Sequence, residues 1–332
     1  MAMQVPRYWA QARVQEKFGR GHVSGRVSLT VRRFGWSDSS LAEAQTMADA
    51  RARDAFDRIL AGETLSRNEP RVPYDAEGLP IREEIVERHG EIVVTRNSYG
   101  ARCLNSPDVL FADVDFKPPQ AGPVSWGWFA AALVAGVACG ALVHPVAGIA
   151  LFIAALVAIG FVRNAAAQRR YREEGGGPEA RAMAPVNAFL AAHPHWHLRV
   201  YRTPNGFRLL AMHQTFDPLD PQVPAFFQAI GADAYYALLC RYQHCFRARL
   251  TGKPWRVGVR ERMPPRNGVW PIPAERMAER ESWVAQYERK AEGYAACRFV
   301  EALGSRDYVS ATQSVQRLHD DLCKADSRLP LA

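Results

Sequence analysis

The hydrophobic pattern of the chain is dominated by one stretch, from Trp126 to Val162, that contains no Lys, Arg, Asp or Glu. Its two halves, 126–143 and 146–162, each approach the roughly 17–20 residues that a helix needs to cross a bilayer. His144-Pro145 lies between them, where proline ends a helix and allows a tight connection. Neither half keeps the polar stripe of a soluble helix. The pattern therefore predicts a transmembrane helical hairpin over residues 124–163, with a buried hairpin or a re-entrant pair as alternatives.

The charges that flank this stretch predict its orientation. Lys117 precedes it, and the connection between its halves carries neither Lys nor Arg. Four arginines follow it, namely Arg163, Arg169, Arg170 and Arg172. Because basic flanks stay on the cytoplasmic side, we expect a multi-pass protein of the inner (cytoplasmic) membrane with both termini in the cytoplasm. The lipid bilayer is then one partner, and Gly136 and Gly140 suit close helix packing, including that of a second copy in a homo-oligomer.

Outside this stretch, alternating polar and apolar positions indicate strands, and helical spacing of apolar positions indicates helices. The predicted strands are 23–36, 91–95, 109–116, 197–201 and 207–213, with 99–103 a further candidate. The predicted helices are 41–60, 178–192, 232–240, 275–303 and 307–324. This irregular mixture favours the α+β class.

The order of these elements predicts an α+β cytoplasmic domain with an inserted transmembrane helical hairpin and a helical C-terminus. The expected parts are residues 1–120 as an N-terminal α+β half, 124–163 as the hairpin, 175–270 as a second α+β half and 271–332 as a helical C-terminal region. Residues 1–13 are polar and lack the apolar core of a signal peptide, so we expect no cleaved leader.

Composition narrows the class of protein further. Of the 332 residues, 48% are hydrophobic and 23% are charged, which is typical of a globular chain and excludes a disordered or fibrous one. Six cysteines without regular spacing exclude a disulfide scaffold. The net charge of +8 suits an anionic membrane surface, a nucleic acid or a phosphorylated substrate, and charge alone does not separate these partners.

Asp113 and Asp115 are the strongest candidates for catalytic or metal-binding residues. Side chains alternate along a strand, so both carboxylates face away from the apolar side of the predicted strand 109–116. Two carboxylates this close either share a proton or bind a divalent cation such as Mg²⁺ or Mn²⁺. We therefore predict catalytic and metal-binding roles for both residues, with an exposed acidic strand end as the alternative.

The basic run Cys240–Arg256 is a candidate for phosphate binding. Arg247 and Arg249 share one face if the segment is extended, and Lys253 and Arg256 follow. Guanidinium groups match phosphate oxygens in a bidentate geometry. We predict that these four residues bind a phosphate or nucleotide, with a solvated basic face as the alternative.

Two further groups of residues could bind zinc. In an extended conformation the histidines of His193-Pro194-His195-Trp196-His197 would face one way, but a helix-to-strand connection explains this segment equally well. Cys240 and Cys245 lack a second pair that would complete a zinc site, so we interpret these cysteines as structural.

The strand of Asp113 and Asp115, taken with the later turn from Thr203 to Arg208, resembles the core of the archaeo-eukaryotic primase superfamily. In that family an acid-x-acid strand holds two metal ions, and a small-x-His hairpin contacts the nucleoside triphosphate. The resemblance covers residues 109–220. It implies that the two aspartates are metal ligands and that Thr203 and Arg208 lie at nucleotide-binding positions, although Arg208 stands where the family has histidine.

As a whole, the chain is also similar to an uncharacterised group of bacterial two-span membrane proteins. The blocks VVTRNSYGARCLN (93–105) and CFRARLTGKPWR (245–256) carry this similarity. It implies a membrane location and no activity.

The leading functional hypothesis is metal-dependent chemistry on a nucleotide or phosphorylated substrate, with Mg²⁺ or Mn²⁺ held by Asp113 and Asp115. A nucleic acid is a further candidate partner. One alternative is a glycosyltransferase-like D-x-D enzyme that acts on a lipid-linked acceptor. The other is a non-enzymatic, membrane-tethered binding or scaffold protein whose helical C-terminus is the partner surface.

Overall fold

The computed structural model of the chain describes residues 3–18, 27–70, 79–117, 125–173, 176–266 and 268–332. The strands are β1 (Tyr8–Phe18), β2 (Val27–Ser37), β3 (Glu84–His89), β4 (Ile92–Arg96), β5 (Arg102–Ser106), β6 (Phe111–Asp115), β7 (His197–Thr203), β8 (Gly206–Ala211), β9 (Phe246–Arg249) and β10 (Arg298–Gly304). The helices are α1 (Leu41–Leu60), α2 (Trp126–Leu142), α3 (Pro145–Glu173), α4 (Gly177–Ala192), α5 (Gln222–Ile230), α6 (Ala234–Gln243), α7 (Ala274–Ala291) and α8 (Ser310–Cys323). A short 3₁₀ helix spans Pro254–Arg256.

The elements divide into two units. The first is built from Met1–Val114 and Phe189–Ala332, and the second is Asp115–Ala188. The sheets belong to the first unit, whereas α2 and α3 belong to the second. The chain is therefore a mixed α+β protein in which a helical hairpin interrupts the α+β unit in sequence.

Helix α1 packs on the two-stranded antiparallel sheet of β1 and β2. One face of the helix carries the small side chains of Ala44, Ala48 and Ala52. These side chains contact Ala10 and Ala12 of β1. Gly35 of β2 permits this close approach, since a Cβ atom there would lie 2.2 Å from the carbonyl oxygen of Ala44. The helix begins after Ser40, whose side chain accepts a hydrogen bond from the backbone N–H of Glu43.

Two four-stranded sheets form the framework of the rest of the first unit. Their strand orders are β10-β7-β8-β6 and β3-β4-β5-β9. The edge strands β6 and β9 are connected by the side chain of Tyr236, whose hydroxyl lies 2.8 Å from Phe111 O and 3.0 Å from Arg247 O. This contact brings the strand of the acidic pair close to the strand of the basic run.

Several elements lie where the hydrophobic pattern predicts them. The helices 41–60 and 307–324 are confirmed as α1 and α8, and the strands 197–201 and 207–213 are confirmed as the antiparallel pair β7 and β8. The strand 109–116 is confirmed in its central part as β6. The pattern missed β1, β3 and α5.

The continuous helix predicted over 275–303 is wrong, and the region 271–332, expected to be helical, contains a strand between its two helices. Helix α7 ends at Ala291, and the segment that follows forms β10. This strand pairs antiparallel with β7, and Leu303 lies opposite Leu198. Pairing with a strand about a hundred positions away in sequence therefore overrides the local helical pattern, as is common for strands.

Helices α2 and α3 pack against each other as a hairpin in the second unit. Gly136 of α2 lies against Gly148 of α3, where an added Cβ atom would be 2.4 Å from Gly136 O. The rings of Phe129 and Phe152 meet edge to face with their centroids 5.6 Å apart. Glycine at the contact thus lets the two backbones approach closely, as in membrane helix pairs.

Within the described residues, α3 is the one helix that is both long and apolar enough to cross a membrane, and α2 is an apolar helix of 17 residues. Only 6% of the most apolar window of α3 is buried, whereas an apolar helix in a soluble core is buried on most sides. The structure therefore gives one candidate span. The second crossing, the multi-pass topology and the position of the termini stay predictions.

The start of the strand predicted over 23–36 and the first residue of the hairpin predicted over 124–163 lie outside the described residues.

We expect Gly148→Ala to destabilise the hairpin, because the new methyl group has no space between the two backbones. Overpacking of this kind costs about 1–3 kcal/mol. The matched control is Gly160→Ala in the same helix, since nothing lies within 4 Å of a Cβ atom there. The midpoint of helix loss in an SDS titration, followed by circular dichroism, should fall for Gly148→Ala alone. Equal midpoints for the two variants would refute the close packing.

Candidate functional site

Asp113 of β6 forms an ion pair with Arg208 of β8. Arg208 Nε lies 3.0 Å from Asp113 Oδ1, and Arg208 Nη1 donates to Arg249 O at 2.8 Å. The side chain of Arg208 is 2% exposed and that of Asp113 is 32% exposed. Burial alone would lower the pKa of Arg208, but the negative charge of Asp113 raises it above its usual value. Because a buried guanidinium requires a charge partner, the Asp113 carboxylate serves to neutralise Arg208.

His319 of α8 packs against the β10-β7-β8-β6 sheet, beside Arg208. Its buried ring lies 5.1 Å from the ring of Phe111 and 4.8 Å from that of Tyr201, measured between centroids. His319 Nδ1 lies 2.9 Å from Asp320 Oδ1, and His319 Nε2 lies 3.4 Å from Arg208 Nη1. Because the Asp320 carboxylate can only accept, His319 Nδ1 carries a ring proton and donates it to Asp320, while Nε2 faces Arg208 and Cys297.

Two cysteines lie beside His319. The sulfur atoms of Cys297 and Cys323 and a ring nitrogen of His319 all lie within 4.8 Å of one another, and all three residues are buried. Cys297 Sγ is 3.8 Å from His319 Nε2. Cys297 directly precedes β10, and Cys323 is the last residue of α8. Across the part of the chain that the structure describes, this is the only such group of three potential metal ligands.

The two thiols differ in their affinity for a proton. A hydrogen bond with Cys323 lowers the pKa of Cys297 well below its usual value; burial opposes this effect, and the charges of His319 and Arg208 support it. Burial raises the pKa of Cys323, and the hydrogen bond with Cys297 raises it further. The pair therefore favours a thiolate at Cys297 and a thiol at Cys323.

Asp320 extends this network towards Arg199. Arg199 Nη2 donates to Asp320 Oδ2 at 3.0 Å, and Arg199 Nε donates to the hydroxyl of Tyr201 at 2.9 Å. Burial alone would raise the pKa of Asp320, but hydrogen bonds, above all with His319, lower it. The charges of the two pairs, Asp113–Arg208 and Asp320–Arg199, cancel each other beside the imidazole of His319.

The two arginines of β9 make contacts inside the protein. Arg247 is buried, and its Nη2 lies 2.7 Å from Glu83 Oε2. Arg249 Nη1 donates to the carbonyl oxygens of Thr251 at 2.7 Å and Ala332 at 3.2 Å. These contacts tie β9 to the segment before β3 and to the C-terminal residue.

The other predicted site residues occupy several different elements. Thr203 is buried at the end of β7. Lys253 lies over the ring of Trp255, with its Nζ atom 5.4 Å from the ring centroid. Arg256 is half-buried in the 3₁₀ helix, and Asp115 is exposed at the end of β6.

Of the predicted set, the structure therefore brings together Asp113, the buried guanidinium of Arg208 and the backbone carbonyl of Arg249. The catalytic, metal-binding and phosphate-binding roles of the set stay predictions. Sequence reasoning missed the group of Cys297, His319 and Cys323. The spacing His319-x-x-x-Cys323 is the signal that could have found two of them, since it puts both side chains on one helix face, whereas nothing local points to Cys297.

The histidine-rich segment is the connection from α4 to β7, as one of the two interpretations predicts. His193 Nδ1 lies 2.9 Å from Phe189 O, and His197 Nδ1 lies 2.8 Å from Asp307 O. The imidazoles of His193 and His197 thus contact backbone carbonyls, one at the end of α4 and one in the connection between β10 and α8.

Removing the charge of Asp113 should destabilise the first unit, because Arg208 would stay buried without its partner. We expect Asp113→Asn to lower the free energy of unfolding by about 3 kcal/mol, the lower end of the range for broken buried pairs. The control is Asp115→Asn at an exposed position, with a loss below about 1 kcal/mol. Urea denaturation in detergent measures both, and equal losses would contradict the structural role of Asp113.

A second prediction concerns pH. Burial lowers the pKa of His213 from its usual 6.5 to about 4, and the charge of His195 adds to this effect. Between these pH values the unfolded chain binds a proton that the folded chain does not, so stability falls as pH drops from 6.5 to 4. Denaturation curves across this range should show a smaller fall for His213→Gln than for the wild type. Parallel curves for the variant and the wild type would contradict the lowered pKa of His213.

Comparisons of this chain with protein-family models, with curated proteins and with solved structures find no match. The resemblances to the primase superfamily and to two-span membrane proteins therefore stay predictions from the quoted motifs.

Proposed function

We propose that this chain is an integral membrane protein whose α2–α3 hairpin lies in the bilayer and whose α+β unit is a non-enzymatic binding module on the cytoplasmic side. The observation that carries the proposal is the exposed apolar surface of the hairpin.

Large apolar side chains point outward along both helices. Leu142 is 85% exposed, Val157 is 67% exposed and Phe161 is 76% exposed. Burying one such side chain is worth about 1.5–3 kcal/mol, and whole domains are stable by only about 5–15 kcal/mol. A hairpin with many such side chains in water would therefore favour aggregation. Lipid tails can cover these side chains, because the backbone polar groups are already hydrogen-bonded within each helix.

The lengths of the helices fit a bilayer. At 1.5 Å per residue, the 17 residues of α2 span about 26 Å and the 18-residue apolar window of α3 spans about 27 Å. The hydrocarbon core is about 30 Å thick, and a small mismatch is accommodated by local thinning. Trp126 and Trp128, both exposed, begin α2 where interfacial aromatic residues are favoured.

The distribution of basic residues supports a cytoplasmic position for the α+β unit. Arg170 and Arg172 lie in the last turn of α3, beyond its apolar part. The connection between α2 and α3 contains only Val143 and His144, without Lys or Arg. Positively charged flanks of this kind favour the cytoplasmic side.

The contacts of Asp113 favour a binding module over metal-dependent chemistry at the acidic pair. A divalent ion at Asp113 would compete with the buried guanidinium of Arg208, 3.0 Å away. Arg247, which the enzymatic hypothesis assigns to phosphate, contacts Glu83 instead. The hypotheses of Mg²⁺ or Mn²⁺ chemistry and of a D-x-D glycosyltransferase both depend on these residues, so we rank them below the binding module.

Membrane extraction tests the proposal. The full chain should stay in the membrane pellet after washing with alkaline carbonate and should dissolve only in detergent. A double variant, Val137→Asp with Ile153→Asp, should enter the carbonate supernatant, because each carboxylate costs about 2.5–3.5 kcal/mol at the bilayer centre.

The matched control for this experiment is Leu41→Asp. Leu41 is similarly exposed but begins α1 in the first unit, so this variant should stay in the pellet. Wild-type protein in the carbonate supernatant would end the membrane proposal, as would equal release of the control and the double variant.

A further inference from the structure

We propose that Cys297, His319 and Cys323 bind one soft metal ion of the zinc class, through two thiolates and the Nε2 atom of the imidazole. This inference is independent of the proposed membrane function, because all three residues belong to the first unit.

The spacing of the ligand atoms suits a tetrahedral ion. Zinc–sulfur bonds of about 2.3 Å and zinc–nitrogen bonds of about 2.0–2.1 Å put neighbouring ligand atoms roughly 3.5–3.8 Å apart. Cys297 Sγ and His319 Nε2 are already 3.8 Å apart, and all three ligand atoms lie within 4.8 Å of one another. Side-chain rotations that move the atoms by about 1 Å therefore close the site.

The partner of the other ring nitrogen is the second, independent observation. Metal-binding histidines almost always donate their second N–H to a carboxylate or carbonyl group, which fixes the ring and directs the free lone pair at the ion. His319 Nδ1 lies 2.9 Å from Asp320 Oδ1, and Asp320 is itself held by Arg199 at 3.0 Å. The imidazole is thus oriented so that Nε2 faces Cys297.

The charges around the group are compatible with a buried ion. Both cysteines bind the ion as thiolates, so together they neutralise one divalent ion. The surrounding charges already pair, Arg208 with Asp113 and Arg199 with Asp320. A neutral metal–dithiolate unit therefore adds no uncompensated charge to the interior, which would otherwise be costly.

Arg208 lies next to His319 Nε2, the atom that would bind the ion. Its Nη1 atom lies 3.4 Å from His319 Nε2, longer than a strong hydrogen bond. Its contacts with Asp113 Oδ1 at 3.0 Å and Arg249 O at 2.8 Å are shorter, so it can release the imidazole and keep both partners. The fourth position of the ion is then left to a water molecule or to Arg249 O, which lies 3.5 Å from Cys323 Sγ.

The ion would connect two segments that are distant in sequence. Cys297 precedes the edge strand β10, and Cys323 ends α8. A backbone hydrogen bond of 3.1 Å from Ala296 N to Cys323 O already holds these segments together. Because metal binding adds to folding stability, the ion would fasten the C-terminal helix to the sheet.

Cobalt titration of the full chain in detergent tests the site. The protein is kept reduced, stripped of metal with a chelator, and titrated with Co²⁺ under anaerobic conditions. One equivalent of Co²⁺ should produce thiolate-to-cobalt charge-transfer absorption and the visible bands of tetrahedral cobalt, and Zn²⁺ should displace it. Asp320→Asn should weaken binding by about 10–100-fold, as loss of a carboxylate behind a metal-binding histidine does.

The matched variants are Cys323→Ser and Cys245→Ser. Both remove a fully buried thiol, so their cost to folding is similar, but Cys245 lies in a different part of the core with Val5 and Ile81. The charge-transfer band should disappear in Cys323→Ser and persist in Cys245→Ser. A band that survives Cys323→Ser, or its absence in the wild type, would overturn the proposal.

A measurement on the wild type alone covers the case in which the variants do not fold. Protein loaded with Zn²⁺ and desalted should release one Zn²⁺ per chain when an organomercurial blocks its thiols. Release of no zinc would overturn the proposal. A mass two hydrogens lower would also overturn it if peptide mapping places the disulfide between Cys297 and Cys323, since neither sulfur would then be free to bind a metal.

Discussion

The exposed apolar surface of the α2–α3 hairpin is the constraint on which the rest of this account depends. Apolar side chains along both helices are uncovered, while their shared contact is so close that glycine is required at Gly148. The two helices therefore cover each other only along their shared contact. Their remaining apolar surface requires an apolar environment. Under the proposed membrane location, lipid would supply that environment, and backbone hydrogen bonding within the helices makes such an arrangement possible.

A different interaction organises the α+β unit. Arg208 projects from β8 and contacts Asp113 of β6, the carbonyl of Arg249 in β9 and the imidazole of His319 in α8. One buried cation thus joins both four-stranded sheets and the last helix. This contact gives Asp113, an acidic residue that looks catalytic in the sequence, a structural partner in Arg208.

Local patterns in the sequence predicted those parts of the fold that depend on local physics. The apolar run of the hairpin, the capped alanine-rich helix α1 and the strand pair β7–β8 all follow from periodicity and turn chemistry. The strand β10 was missed because its stability comes from pairing with β7 rather than from its own residues. The same reason hides the ion pair of Asp113 with Arg208, which are 95 positions apart, and the meeting of Cys297 with His319.

The most direct test of the central claim is the reactivity of single cysteines in native membranes. The six natural cysteines are buried or lie within the hairpin, so an introduced thiol dominates labelling by a water-soluble maleimide. Val137→Cys on α2 should be unreactive until detergent is added, because thiols in hydrocarbon do not ionise, whereas Leu41→Cys on α1 should react at once. Labelling of Val137→Cys as fast as Leu41→Cys in intact membranes would show that the hairpin lies in water and would contradict the account.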